Sequence, residues 1–150
     1  MSRGLLLAVA AMLALAGCLD DFEPQVGPPH RPACSDEDSD PSARVSFRDD
    51  IQGGLFARSC VACHTPQGPN PLGLRASGLD LSSRETLLRG GDEGGADTVV
   101  PGSPCESVLL QKLGPAPPFG ARMPIDGPPF LDAEDRQLVA DWIAEGADDT

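Results

Sequence analysis

Apolar residues along this chain come in short, punctuated runs. The first, Leu5 to Ala16, is unbroken by charge and follows Met1-Ser2-Arg3-Gly4. Further on, Phe47, Ile51, Leu55 and Phe56 recur at helical spacing. Gly53-Gly54 weakens that helix unless another backbone must approach closely there. Ser82 and Glu85 have the spacing of a capping box before Thr86-Leu87-Leu88, and Gly90-Gly91 ends the helix. Ser103 and Glu106 form a second such box, with Pro104 at the first helical position before Val108-Leu109-Leu110. Asp132 caps a last helix carrying Leu138, Val139, Trp142 and Ile143, stopped by Gly146. No stretch alternates as a strand. The pattern predicts an all-α domain over residues 45–150, with short helices, long Gly/Pro loops and a core thin enough to want a staple. Residues 18–44 read as a tether. Pro24, Pro28, Pro29, Pro32 and Pro41 interrupt it, and Ser35 to Asp40 is acidic with no apolar face. Asp36, Asp38 and Asp40 lack the glycine and late glutamate of a calcium loop, so they read as solvated charge.

Composition sharpens this. The 150 residues include 17 Gly and 16 Pro, room for one domain plus irregular chain. A formal net charge of −12 disfavours nucleic acid, whose phosphates need a basic surface, and there is no Tyr to build a base-stacking platform. Arg3 followed by the apolar run is an export signal, too short to span a bilayer. Its ending, Leu15-Ala16-Gly17-Cys18, resembles the bacterial lipoprotein signal. That resemblance implies removal of residues 1–17 and acylation of Cys18. The alternative is ordinary cleavage after Ala14-Leu15-Ala16, leaving Cys18 a plain thiol. Either way the chain is expected in the cell envelope, where disulfides are permitted. With the lipid, it would be anchored to the outer membrane or to the periplasmic face of the inner one.

Cys60-Val61-Ala62-Cys63-His64 is Cys-x-x-Cys-His, the attachment pattern of c-type haem. Two thiols one helical turn apart add to the two porphyrin vinyl groups, and the histidine that follows becomes the proximal iron ligand. A thioredoxin-like motif would want a βαβ pattern around it. A zinc site would want four less crowded ligands; a structural disulfide is the third alternative. The sixth iron ligand follows by elimination. Met1 and Met12 fall in the signal, His30 in the tether, and Lys112, the only lysine, suits a helix surface. Met123 remains, in a loop from Gly114 to Pro124 whose last proline disfavours helical geometry at Met123. Packing as a gap-filler is the other reading of this methionine. Gly90 to Gly95 lacks the Lys-Ser/Thr ending of a phosphate cradle and reads as a loop.

The domain resembles class I c-type cytochromes, and more narrowly the planctomycete-type cytochrome c domain. The segments that carry the resemblance are Phe47-Arg48-Asp49-Asp50-Ile51, the haem motif, Pro101-Gly102-Ser103-Pro104, Arg122-Met123-Pro124 and Asp141-Trp142-Ile143-Ala144-Glu145-Gly146-Ala147. The resemblance implies a cytochrome c-like helical fold around one covalent haem c per chain. In it the first and last helices cross near one haem edge, which gives Gly53, Gly54 and Trp142 a packing role. With Cys18 lipidated and Cys60 and Cys63 on haem, Cys34 and Cys105 are left to pair as a disulfide, or else stay free or pair between molecules. Iron saturated by His64 and Met123 suits one-electron transfer rather than catalysis, with a redox partner whose docking patch is basic. Two alternatives stay open: a sensor or ligand-binding module in which Met123 is displaced, and a peroxidase-type enzyme. Arg58 and Arg122 are candidates for pairing with haem propionates, or simply solvated charges. Oligomeric state and redox potential are not written in the sequence.

Overall fold

A computed structural model describes residues 34–149. The export signal, Cys18 and His30 lie outside the described residues. Among those described, the regular structure is helical throughout, and no strand is present. A 3-10 turn at Asp36–Asp38 precedes a π-helix, Phe47–Phe56. Six α-helices follow: α1 Ala57–Ser59, α2 Val61–His64, α3 Leu72–Ser77, α4 Arg84–Arg89, α5 Val108–Leu113 and α6 Ala133–Ala144. Two further 3-10 turns, Gly95–Thr98 and Pro104–Glu106, lie between α4 and α5. No described helix is long and apolar enough to cross a membrane.

The spacing of Phe47, Ile51, Leu55 and Phe56 is helical as expected, and all four are buried. The winding is wider than an α-helix: Ile51 N–H donates to Ser46 O and Ala57 N–H to Gln52 O, both five residues back. Gly53 and Gly54 serve this winding rather than an approach by the last helix. A Cβ at Gly53 would lie 2.9 Å from Arg48 O, and one at Gly54 3.3 Å from Asp49 O, each five residues back in the same helix. Trp142 of α6 is fully buried and stacks on Phe47 at 5.3 Å between ring centroids, so the first and last helices meet through these rings. The indole N–H donates to Asp148 O at 2.9 Å, satisfying the one polar atom that this burial strands.

Asp132 caps α6, its carboxylate accepting from Asp135 N–H at 2.9 Å. The other two predicted caps shift. α4 is capped by Ser83 in a reciprocal pair with Thr86, because Ser82 N–H is taken by the Asp80 carboxylate at 2.8 Å and the helix starts one residue later. Ser103 begins only a short 3-10 turn with no side-chain cap, and α5 starts after Ser107. The fully buried Ser107 hydroxyl donates back to Ser103 O and accepts from Val100 N–H, tying the turn to the loop before it.

Residues 34–44, expected as tether, are bonded to the helical domain. Cys34 and Cys105 form a disulfide with Cα atoms 5.6 Å apart. The strap that follows is bonded to α6: Asp40 N–H donates to the Asp141 carboxylate and Gln137 Nε2 to Asp38 O. Val45 N–H donates to Glu145, the residue just after α6, and Asp36 accepts from Cys105 N–H. An acidic, apolar-poor stretch is thus ordered by a covalent link and polar bonds, which a hydrophobic pattern does not register. Strap residues and Leu110, Gln111 and Gly114 of α5 and its end line a second cavity, whereas Val108, Leu109, Lys112 and Leu113 line the cavity described below.

Candidate functional site

The haem motif occupies one tight turn. Cys60 interrupts the helical run with φ −130° and ψ −44°, and its carbonyl accepts from both Cys63 N–H and His64 N–H. α2 is held from outside as well: Thr65 Oγ1 donates to Val61 O at 2.7 Å and Asn70 N–H to Ala62 O. His64 is anchored twice to the next loop. Its carbonyl accepts from Leu81 N–H at 2.8 Å, and its Nδ1 lies 3.2 Å from Leu79 O. A carbonyl only accepts, so this contact requires the proton on Nδ1 and leaves the Nε2 lone pair free, as an orienting bond to a ligating histidine does. Burial pushes the His64 pKa down against a smaller opposing effect of the Leu79 bond, favouring the neutral ring. Gly73 makes room for the imidazole: a Cβ there would lie 2.6 Å from Nε2. Cys60 and Cys63 are free thiols, and burial raises the Cys60 pKa to about 12.

Met123 lies on the loop that follows α5. Its N–H donates to Lys112 O at 2.8 Å. The Lys112 ammonium donates to Phe119 O (2.6 Å) and Ala121 O (2.5 Å) and stands 4.8 Å from the centre of the Phe119 ring. Burial lowers its pKa. Lys112 is therefore tied to the methionine loop and is not the free surface group its helix position suggested. Arg122 Nε donates to Leu113 O at 3.0 Å while its guanidinium covers the Phe130 ring at 4.1 Å. Met123-Pro124 is a cis peptide bond. Neither candidate propionate partner is a free cation: Arg122 is engaged as described, and Arg58 pairs with Asp135 of α6.

Cys60, His64 and Met123 line one cavity of about 290 Å³. Its walls are mostly apolar, with Phe56, Leu79, Leu81, Leu109, Leu113 and Leu131 prominent. Cys63 lies on the same turn but outside the lining, whereas Cys34 and Cys105 are remote and joined to each other. An imidazole with a free lone pair, a thioether and a thiol opening on one apolar cavity, with a second free thiol on the adjacent turn, is a donor set that fits a covalently attached haem. Such a haem would supply one-electron redox chemistry; the chain supplies apolar walls, an oriented imidazole and a tethered thioether.

Residues 60–124 match the family model described as Planctomycete cytochrome C. Over that span the chain is similar to a planctomycete-type cytochrome c domain. The matched span opens on the first cysteine of the motif and closes on the proline after Met123, so it includes both His64 and Met123. No curated protein and no solved structure matches the chain. That similarity points to haem binding and electron transfer. Three contributors to the site carry no motif in the sequence: the Leu79 carbonyl, Gly73 and the Lys112 clamp. Only the last left a trace, a single lysine one turn before a Gly/Pro loop.

Proposed function

We propose that the chain is a membrane-tethered monohaem c-type cytochrome that carries single electrons between periplasmic or membrane redox partners. Cys60 and Cys63 would hold one haem c covalently, with His64 and Met123 as its axial ligands. The observation that carries this reading is that His64 and Met123, far apart in sequence, line the same apolar cavity beside Cys60. With both axial positions filled, the iron changes oxidation state with little ligand rearrangement, and thioether ligation raises its potential. The tether reading rests on Leu15-Ala16-Gly17-Cys18 after the apolar run, with Cys18 acylated in the cell envelope. The net charge of −12 suits a partner with a basic docking patch. The test is the optical spectrum of the haem-loaded protein, oxidised and reduced, beside that of Met123→Ala. The expected wild type shows the weak far-red band of sulfur on ferric iron, and the variant keeps its covalent haem, loses the band and has a lower potential. A high-spin wild type that binds carbon monoxide rapidly when reduced would replace this reading with the ligand-binding one.

A further inference from the structure

The methionine loop is long, rich in glycine and proline, and lacks helical hydrogen bonds of its own, yet it must present one sulfur atom at a fixed place. Three of its backbone groups converge on a single residue of α5. The carbonyls of Phe119 and Ala121 accept from the Lys112 ammonium, and Met123 N–H donates to the Lys112 carbonyl. The Phe119 ring lies against the same ammonium. Lys112 itself lines the cavity, between Leu109 and Leu113.

We propose that Lys112 is a positioning residue for the Met123 thioether, gathering the loop by its ammonium while its own backbone fixes Met123 in register. This rests on Met123 being an iron ligand, as proposed above. A charged donor shared between two carbonyls makes stronger bonds than neutral pairs, and its loss frees the exposed Ala121 carbonyl and leaves the partly buried Phe119 carbonyl without its donor. Arg122 holds the same loop to Leu113 O but bonds neither the Phe119 nor the Ala121 carbonyl, so it does not replace the lysine.

The test uses the haem-loaded full chain and its Lys112→Met and Lys112→Arg variants. Lys112→Met is expected to keep its covalent haem, lose most of the far-red ferric–sulfur band at neutral pH, and bind carbon monoxide about tenfold faster when reduced. Lys112→Arg, which keeps a cationic donor, should restore a large part of the band. An unchanged band and carbon monoxide rate in Lys112→Met overturn the proposal. A wild type with no such band overturns the ligation reading, and this inference falls with it. Should Lys112→Met fail to fold, the unmutated protein still decides. Lys112 is the only lysine, so ¹⁵N-lysine labelling of the reduced protein gives one side-chain ammonium signal. Slowed proton exchange at that nitrogen supports the clamp, and exchange as fast as free lysine overturns it.

Discussion

The His64 and Met123 walls of the cavity are built in different ways. The His64 side is built on a helical turn: four consecutive residues make it, and the imidazole is fixed by the carbonyl of Leu79, 15 residues on and beyond α3. Nearly all its ligand chemistry lies in five adjacent residues. The Met123 side has no such turn. A loop without regular structure is gathered onto α5 by one ammonium, one guanidinium and one backbone bond. A short turn loses little entropy on closing, whereas a long loop must be held by bonds strong enough to offset its freedom. The difference predicts that the methionine wall yields first whenever the domain is stressed, and that the histidine wall follows only when the domain unfolds.

The largest test of that asymmetry is the disulfide. It ties the strap to Cys105, whose carbonyl accepts from Gln111 of α5, so it braces the entry to the helix that carries Lys112 rather than the haem-motif turn. Closing a loop with a sequence separation of 71 restricts the unfolded chain by about 4 kcal/mol. Cys34→Ala/Cys105→Ala should lose roughly that much in denaturant melts, with amide exchange rising at Leu110 to Leu113 and at Met123 before His64. Equal rises on both sides would erase the distinction drawn here.

Gly73→Ala probes the histidine wall. In an ordinary helix interior this change gains up to about 1 kcal/mol. Here the new Cβ would meet the imidazole at 2.6 to 2.9 Å, so the ring must shift or the helix must move. The expected result is a net destabilisation of about 1–3 kcal/mol, with an altered haem spectrum and the Met123 loop's amide exchange unchanged. A plain gain in stability would show the histidine wall to be softer than its bonds suggest.

The smallest effect is at Cys60 before haem is attached. Its raised pKa, caused first by burial, keeps the thiol protonated well past the usual range. The folded state then binds more protons than the unfolded state between the ordinary thiol value of 9.0 and about 12, so stability conferred by this group is present below pH 9 and is lost as pH climbs through that window. Alkylation at pH 8 of the haem-free chain should be slower at Cys60 than in denaturant by about a hundredfold or more. Equal rates would mean that the turn opens freely until haem closes it.

The fold was legible where its determinants are periodic or adjacent. The apolar spacing of Phe47, Ile51, Leu55 and Phe56 marks a buried helical face whether the turn has α or π width, because both bring residues four apart onto one side. The Asp132 cap and the buried face of the last helix were equally plain. Caps at Ser82 and Ser103 were misplaced because the local alternatives, the Asp80 carboxylate and the Ser107 hydroxyl, compete for the same backbone groups. The strap was missed for a different reason. Composition measures the capacity to bury apolar surface, and residues 34–44 are held by a disulfide and polar bonds to α6 and Glu145.

By itself the sequence determined the chemistry carried by neighbours: the Cys60-to-His64 motif, the helical class, the acidic charge, and Met123 as the one candidate thioether in the domain. Tertiary structure alone decided what faces what. It set Met123 and His64 on one cavity, turned Lys112 from a surface lysine into a clamp, and gave Gly73 to the imidazole. It also paired Cys34 with Cys105 where the sequence allowed free thiols as well. Covalent adjacency fixes which groups share a turn. Which groups share a cavity depends on how distant segments pack, and that is settled by the summed burial and hydrogen bonding of the whole domain.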